Sequence, residues 1–300
     1  MFTTYKEAAN AQALTGVKSA DPLTQPLEQA RMQQDEYFKT LNQDLPEVAK
    51  IEDRLISGPA GEIPIRLVYP SLGTPTNYLI FIRGAGFWAG SLDSHARTMR
   101  TLALESGCVV CGIDYRRAPD FHFPVQRNEV IAVVEYLKSQ QASLGILGQP
   151  VLFGESAGAT IALSTAQALR DQKKNELAGL ILFYSNAGGF KPKAREYSQW
   201  VWKQYLGPST ALDDPEATPL LASIAGLPPI WQGVGADDPL ITDTQKLADQ
   251  LQAIGVDTRV VTYPNLPHGF LMWTGSLQPA LDALKESVQV MKQFFGSEGG

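Results

Sequence analysis

From residue 78 onward, short apolar runs alternate with longer amphipathic segments, a rhythm that predicts parallel β-α-β units. The runs 78–82, 109–115, 151–153, 177–184, 230–234 and 258–263 read as strands. Apolar positions recur at helical spacing over 94–105, 125–139, 157–169, 242–254 and 278–295. Two earlier strands, 51–57 and 63–69, flank the turn signal Gly58-Pro59-Ala60-Gly61 and read as a hairpin. The expected fold class is α/β: a mostly parallel sheet of eight strands with helices on both faces.

Two stretches break the rhythm. Residues 1–50 look helical but polar, with Leu27, Met32, Tyr37, Phe38, Leu41 and Leu45 dispersed among Gln, Glu and Asp, which marks a lid-like segment outside the core. Residues 185–227 are too long for a crossover and carry Tyr197, Trp200, Trp202 and Tyr205 on one expected helix. Ligands of open α/β sheets bind outside the carboxyl ends of the strands. Segment 1–50 and the insertion 185–227 are therefore expected to cap that edge, and 51–300 to form the catalytic domain. The four aromatics either line a pocket or anchor the cap; their spacing leaves both open.

Composition narrows the partners. A net charge of -6 gives no electrostatic footprint for nucleic acid, and Lys173-Lys174 is too short a basic cluster to make one. The start of the chain lacks the basic and apolar stretches of a secretory signal, and no apolar run reaches the roughly 18 residues of a membrane span. A soluble cytoplasmic protein, bound to neither membrane nor nucleic acid, is expected. Cys108 and Cys111 form a C-x-x-C, but residues three apart on a strand face opposite ways, which argues against a disulfide or shared metal ligation. There is no second cysteine pair to complete a zinc site.

The strongest chemical signal is Gly154-Glu155-Ser156-Ala157-Gly158, which follows an apolar strand and opens a helix rich in small residues. A nucleophile elbow needs that context: the serine sits on a strained turn, and the flanking glycines let strand and helix approach closely. Serine needs a base, and the chain has three histidines, His95, His122 and His268. Where such an elbow is present, the chain order is serine, acid, histidine, and only His268 follows Ser156. The acid is expected after the strand 230–234, where Asp237 and Asp238 compete and periodicity does not choose between them. Oxyanion donors are expected from the loop Arg83-Gly84-Ala85-Gly86-Phe87-Trp88. That loop lacks the lysine and the directly following helix of a phosphate-binding loop.

Four blocks, in order, resemble the hormone-sensitive-lipase-type microbial esterases of the α/β-hydrolase fold. Residues 81–88 resemble the family's H-G-G-G-F/W loop, and Asp114-Tyr115-Arg116-Arg117-Ala118-Pro119-Asp120 its D-Y-R-L-A-P-E. Gly154-Glu155-Ser156-Ala157-Gly158 resembles G-D-S-A-G, and Asp238-Pro239-Leu240 with Asp243, then His268-Gly269-Phe270, resemble the acid and histidine blocks. The resemblance spans about residues 50 to 295. It implies an α/β-hydrolase fold with a helical cap, Ser156 as nucleophile, Asp238 as acid and His268 as base, and oxyanion N–H groups from Ala85, Gly86 and Ala157. Two positions depart from the pattern: Arg83 stands where the family has histidine, and Ala85 where it has glycine. Arg83 is expected to brace the loop against carbonyls or a carboxylate such as Glu155. It is also placed, with Phe87, Trp88, Tyr197 and Trp200, among the candidate substrate-pocket residues.

The expected activity is hydrolysis of small, short-chain carboxylic esters through an acyl-enzyme, with no metal or organic cofactor. The same machinery would open a lactone or an activated amide. The plant gibberellin receptors resemble these esterases but lack the catalytic histidine, whereas His268 is present here. A homodimer through the last strand, 258–263, is a further expectation of the resemblance.

Overall fold

The computed structural model describes residues 1–174 and 176–296; the last four residues of the expected catalytic domain, 297–300, lie outside them. Two helices, α1 (Tyr5–Ala13) and α2 (Leu27–Leu41), precede a hairpin of β1 (Lys50–Gly58) and β2 (Gly61–Tyr69). Then follow β3 (Tyr78–Ile82), α3 (Ala96–Ser106), β4 (Val109–Ile113), α4 (Val125–Ser139), the single turn α5 (Gln141–Leu144), β5 (Val151–Glu155) and α6 (Ala157–Asp171). The chain ends with β6 (Gly179–Phe183), α7 (Glu196–Leu206), β7 (Ile230–Gly235), α8 (Ile241–Ala253), β8 (Thr258–Tyr263) and α9 (Gln278–Gly296).

Among the described residues the strands form one eight-stranded sheet in the order β1-β2-β4-β3-β5-β6-β7-β8. The pairs β1-β2 and β2-β4 are antiparallel and the rest parallel. Strand alternation sorts the side chains into two cores. Ile80, Cys111, Leu152, Leu182 and Ile230 face the layer of α4, α6 and α8. Phe81, Val110, Phe153, Ile181 and Trp231 face α3 and α9. Cys108 and Cys111 fall on opposite sides of the sheet, each a free, buried thiol.

Two expected strands are shorter than their apolar runs. After Ile113 the ladder to β2 ends, and Tyr115 turns inward with its hydroxyl on the carbonyls of Arg83 and Gly84. Tyr184 leaves β6 because its φ is +39°, a left-handed conformation that a strand cannot hold. At the N-terminus, α1 is closed by a capping box between Thr4 and Glu7. Its Tyr5 packs edge-on against Trp273, with ring centroids 5.4 Å apart. α2 docks through buried Arg31, which donates to the carbonyls of Trp88 (2.9 Å) and Ala118 (3.0 Å). No helix among the described residues is long and apolar enough to cross a membrane.

Candidate active site

The turn between β5 and α6 is fixed by two glycines. A Cβ on Gly158 would lie 1.9 Å from the carbonyl oxygen of Ile82, and one on Gly154 would lie 2.6 Å from that of Gly158. Only glycine at both places lets α6 descend onto β3 and β5. Between them Ser156 is held at φ +51°, ψ −117°, its N–H donating to the carbonyl of Phe183 at 2.9 Å. A non-glycine residue there is strained, and the strain lifts the hydroxyl clear of the sheet.

Three strand ends bring the partners together. His268, in the loop after β8, places Nε2 2.9 Å from the Ser156 hydroxyl oxygen, and its Nδ1 lies 2.8 Å from Oδ2 of Asp238 in the loop after β7. Asp238 is 2% exposed, and its other oxygen accepts the Leu240 N–H at 2.7 Å, which fixes the carboxylate plane. Asp237 points to solvent. The pair left open by periodicity is thus separated by orientation. Asp243 is also buried, but it accepts from Gly188 N–H and pairs with Lys191, away from the imidazole.

The loop after β3 runs through three successive left-handed residues, Ala85 (φ +73°), Gly86 (φ +62°) and Phe87 (φ +65°). The main-chain N–H groups of Ala85 and Gly86, and that of Ala157 at the start of α6, donate to no acceptor among the described residues. Ala85 and Gly86 line the cavity that holds Ser156, and Ala157 directly follows the serine at the head of α6.

Arg83 holds this loop from behind. It is 1% exposed; its guanidinium donates to the carbonyls of Ala89 (2.7 Å) and Tyr115 (3.2 Å) and to Asp114 (3.1 Å), and lies 4.1 Å from the Tyr115 ring centre. The expected bracing is against these groups rather than Glu155, and the expectation that Arg83 touches the pocket is corrected, because every donor it extends is turned into the protein. Phe87 is also withdrawn from the pocket, stacked on Tyr205 at 3.8 Å. Trp200 stands behind Trp88, edge-on at 6.0 Å, and is not part of the cavity wall. Trp88 and Tyr197 do line the cavity.

That cavity has a volume of about 810 Å³. Ser156 and His268 form its floor, and its walls include Tyr37 and Phe38 of α2 and Tyr197 and Trp202 of α7. Beside the serine lies a polar chain that sequence reasoning missed. Nε2 of His95 is 3.1 Å from one oxygen of Glu155, the Tyr184 hydroxyl donates to the other at 2.5 Å, and the Tyr184 ring meets the edge of His268 at 4.9 Å. Burial would raise the Glu155 carboxyl, but hydrogen bonding and charge from His95, with the Tyr184 hydroxyl and Gly84 N–H, hold it below the usual carboxylate value. The Tyr184 phenol is pushed well up by burial and by Glu155. The signal was there: a carboxylate one residue from the elbow, at the end of a fully apolar strand, demands a partner. His122 is remote, bonded to the Gln204 carbonyl. Among the described residues no group of three or more His, Cys, Asp or Glu side chains is arranged to hold a metal ion.

A serine on a strained strand-to-helix turn, bonded in series to an imidazole and a buried carboxylate, defines a serine hydrolase. The chain belongs to the alpha/beta hydrolase fold family, whose model matches residues 79–272. It is similar to an alpha/beta hydrolase enzyme from the metagenome of Lake Arreo, Spain, at 30% identity over 98% of each chain, with a TM-score of 0.88. An esterase of Pyrobaculum calidifontis is 25% identical over 90% of this chain and 94% of that one, with a TM-score of 0.85. One of two fungal esterases from Rhizomucor miehei, 23% identical over 100% of both chains, shares the fold at a TM-score of 0.88.

Proposed function

We propose that this chain is an esterase that hydrolyses small, short-chain carboxylic esters, with Ser156 as nucleophile, His268 as general base and acid, and Asp238 as the residue that fixes the imidazole. The observation that carries the reading is the line of bonds from the Ser156 hydroxyl through His268 to Asp238, at 2.9 and 2.8 Å. The names of the Lake Arreo and Pyrobaculum proteins, a hydrolase and an esterase, support the reaction class.

In the first half-reaction the Ser156 oxygen attacks the ester carbonyl while Nε2 of His268 takes its proton. Negative charge develops on the carbonyl oxygen between the N–H groups of Ala85, Gly86 and Ala157. The bond to the alcohol breaks and His268 returns the proton to the departing oxygen. Water then repeats the sequence on the acyl-enzyme, losing a proton to His268, and releases the acid and free Ser156. Asp238 accepts from Nδ1 throughout, so the basic nitrogen always faces the serine. The 1–50 segment and the 185–227 insertion form the cap. Their aromatic walls leave room for a short acyl chain beside Trp88.

Labelling by a fluorophosphonate probe, with hydrolysis of a butyrate and a palmitate aryl ester, tests the reading. Wild type takes the label and prefers butyrate. Ser156→Ala takes no label and loses about 10^4-fold or more in kcat. Unchanged turnover in purified Ser156→Ala overturns the assignment, and faster turnover of palmitate overturns the substrate size.

A further inference from the structure

Tyr197 of α7 reaches the oxyanion loop through its hydroxyl. Its oxygen lies 3.0 Å from Nε1 of Trp88, and an indole N–H can only donate, so the phenol oxygen accepts in this bond. The phenol keeps one proton of its own. No acceptor for that proton is bonded to it among the described residues.

The position of the hydroxyl is set by Gly86. A Cβ on Gly86 would lie 2.9 Å from the Tyr197 oxygen and 3.0 Å from Trp88 Nε1, so phenol and indole rest directly against the residue whose N–H awaits the substrate. Tyr197, Gly86, Ser156 and His268 line one cavity. Burial pushes the phenol's ionisation up, opposed by the bond from Trp88, so at neutral pH the group is an O–H donor. Tyr197 is 40% exposed but lines the cavity, so a hydroxyl that must accept on one side, and whose proton meets no protein oxygen, can give that proton to a ligand there as well as to water.

We propose that Tyr197 is a catalytic residue, donating a hydrogen bond from its phenol to the ester oxygen that gains charge beside Gly86, with the Trp88 indole holding and polarising it. No proton is transferred; the phenol adds a side-chain donor to those of the main chain. The bond from Trp88 draws electron density from the phenol oxygen and so strengthens its donation. This inference rests on the esterase reading, and the two fail differently: absence of turnover in wild type sinks that reading, whereas the present one is decided by variants of an active enzyme.

The test is Tyr197→Phe, which removes one oxygen and keeps the ring. Removal of one side-chain oxyanion donor costs about 10^2- to 10^3-fold, and for this donor, which adds to three main-chain N–H groups, the expected loss is about 10- to 10^2-fold in kcat with KM little changed. A trifluoromethyl ketone, which forms a charged hemiketal on Ser156, should bind more weakly by the same factor. Trp88→Phe severs the same contact but leaves the phenol proton in place, so it should lose less than Tyr197→Phe. Three results overturn the proposal: kcat and ketone affinity unchanged in Tyr197→Phe, a loss confined to KM, or equal losses in the two variants, which makes the contact a structural tie. If Trp88→Phe does not fold, the division between kcat and KM and the ketone affinity of Tyr197→Phe decide alone.

Discussion

Ser156, Asp238, His268 and the loop at Ala85 and Gly86 hang from the ends of β5, β7, β8 and β3, strands of one sheet paired in register, with β8 at its edge. The opposite wall of the cavity belongs to α1, α2 and α7, which reach the sheet through side-chain contacts such as Arg31 on the Trp88 carbonyl and Tyr5 on Trp273. On the floor, position follows from backbone: left-handed φ at Ser156 and Ala85, and glycines with no room for a methyl group. On the roof, position follows from packing of aromatic rings, which exchange more freely than a strained turn. Changes to the floor should therefore appear in kcat or in folding itself, and changes to the roof in which substrate is preferred.

The hardest way to break this contrast is Gly158→Ala. The new methyl would meet two backbone oxygens, 1.9 Å from Ile82 and 2.5 Å from Arg83, neither of which can swing away as a side chain would. No folded, soluble protein is expected; a circular dichroism melt matching wild type would refute a floor fixed by backbone. Next in size is the neighbouring aspartate pair. Asp238→Asn should lower kcat by about 10^4-fold, because the amide leaves the imidazole in the wrong tautomer, whereas exposed Asp237→Asn should change it by no more than about twofold. Reversed magnitudes would move the acid to Asp237.

The same contrast explains what the sequence disclosed. Strands of the floor are short apolar runs between glycines and helices, and both the elbow and the order Ser156 before His268 can be read from such a string. Choosing between Asp237 and Asp238 took a resemblance, since adjacent residues in a loop carry no period. The roof was less legible. α1 went unrecognised as a helix of its own, because only Ala8 and Gln12 of it are buried and so little apolar pattern is written into it. Arg83 and Phe87 were expected at the pocket because they stand in the loop beside the serine, and Trp200 because it belongs to the aromatics of the insertion. Yet Arg83 is drawn back by the carbonyls of Ala89 and Tyr115, Phe87 by its left-handed backbone and its stack on Tyr205, and Trp200 by its place against Trp88. Direction at a positive φ cannot be inferred from residue type.

Glu155 joins the two regions, and its replacement should have a middling effect. Glu155→Gln keeps the shape but loses the charge that faces His95 and accepts from Tyr184, at a cost of about 2 kcal/mol in stability at neutral pH. Because the folded carboxyl is held below its usual value, its stabilising contribution is complete above the unfolded pKa of about 4.3 and is lost as pH falls through the folded value. The difference in unfolding free energy between wild type and Glu155→Gln, taken from urea melts, should accordingly be about 2 kcal/mol near neutral pH and shrink as acid is added below about pH 4. A difference that grows in acid would mean the carboxyl is protonated in the folded protein.

The smallest effect expected is on the roof, at Trp202. Its ring is 2% exposed, lies 5.7 Å from both Phe87 and Tyr205, and forms part of the cavity wall. Its indole N–H reaches the Asn186 side chain at 3.3 Å, a long bond whose loss water in the cavity can make good. Trp202→Phe keeps an aromatic face toward Phe87 and Tyr205 but withdraws the five-membered ring, so the wall recedes while α7 stays seated. Nothing in the line from Ser156 to Asp238 changes, and turnover of a butyrate ester should stay within about twofold of wild type. The space released should seat one further methylene, which at about 0.8 kcal/mol raises kcat/KM for a pentanoate ester relative to butyrate by about fourfold. The measurement is the ratio of the two specificity constants, wild type against variant, in one buffer. An unchanged ratio with a tenfold fall in butyrate turnover would place Trp202 with the floor, and would show that the cap holds the catalytic groups in position as well as selecting among acyl chains.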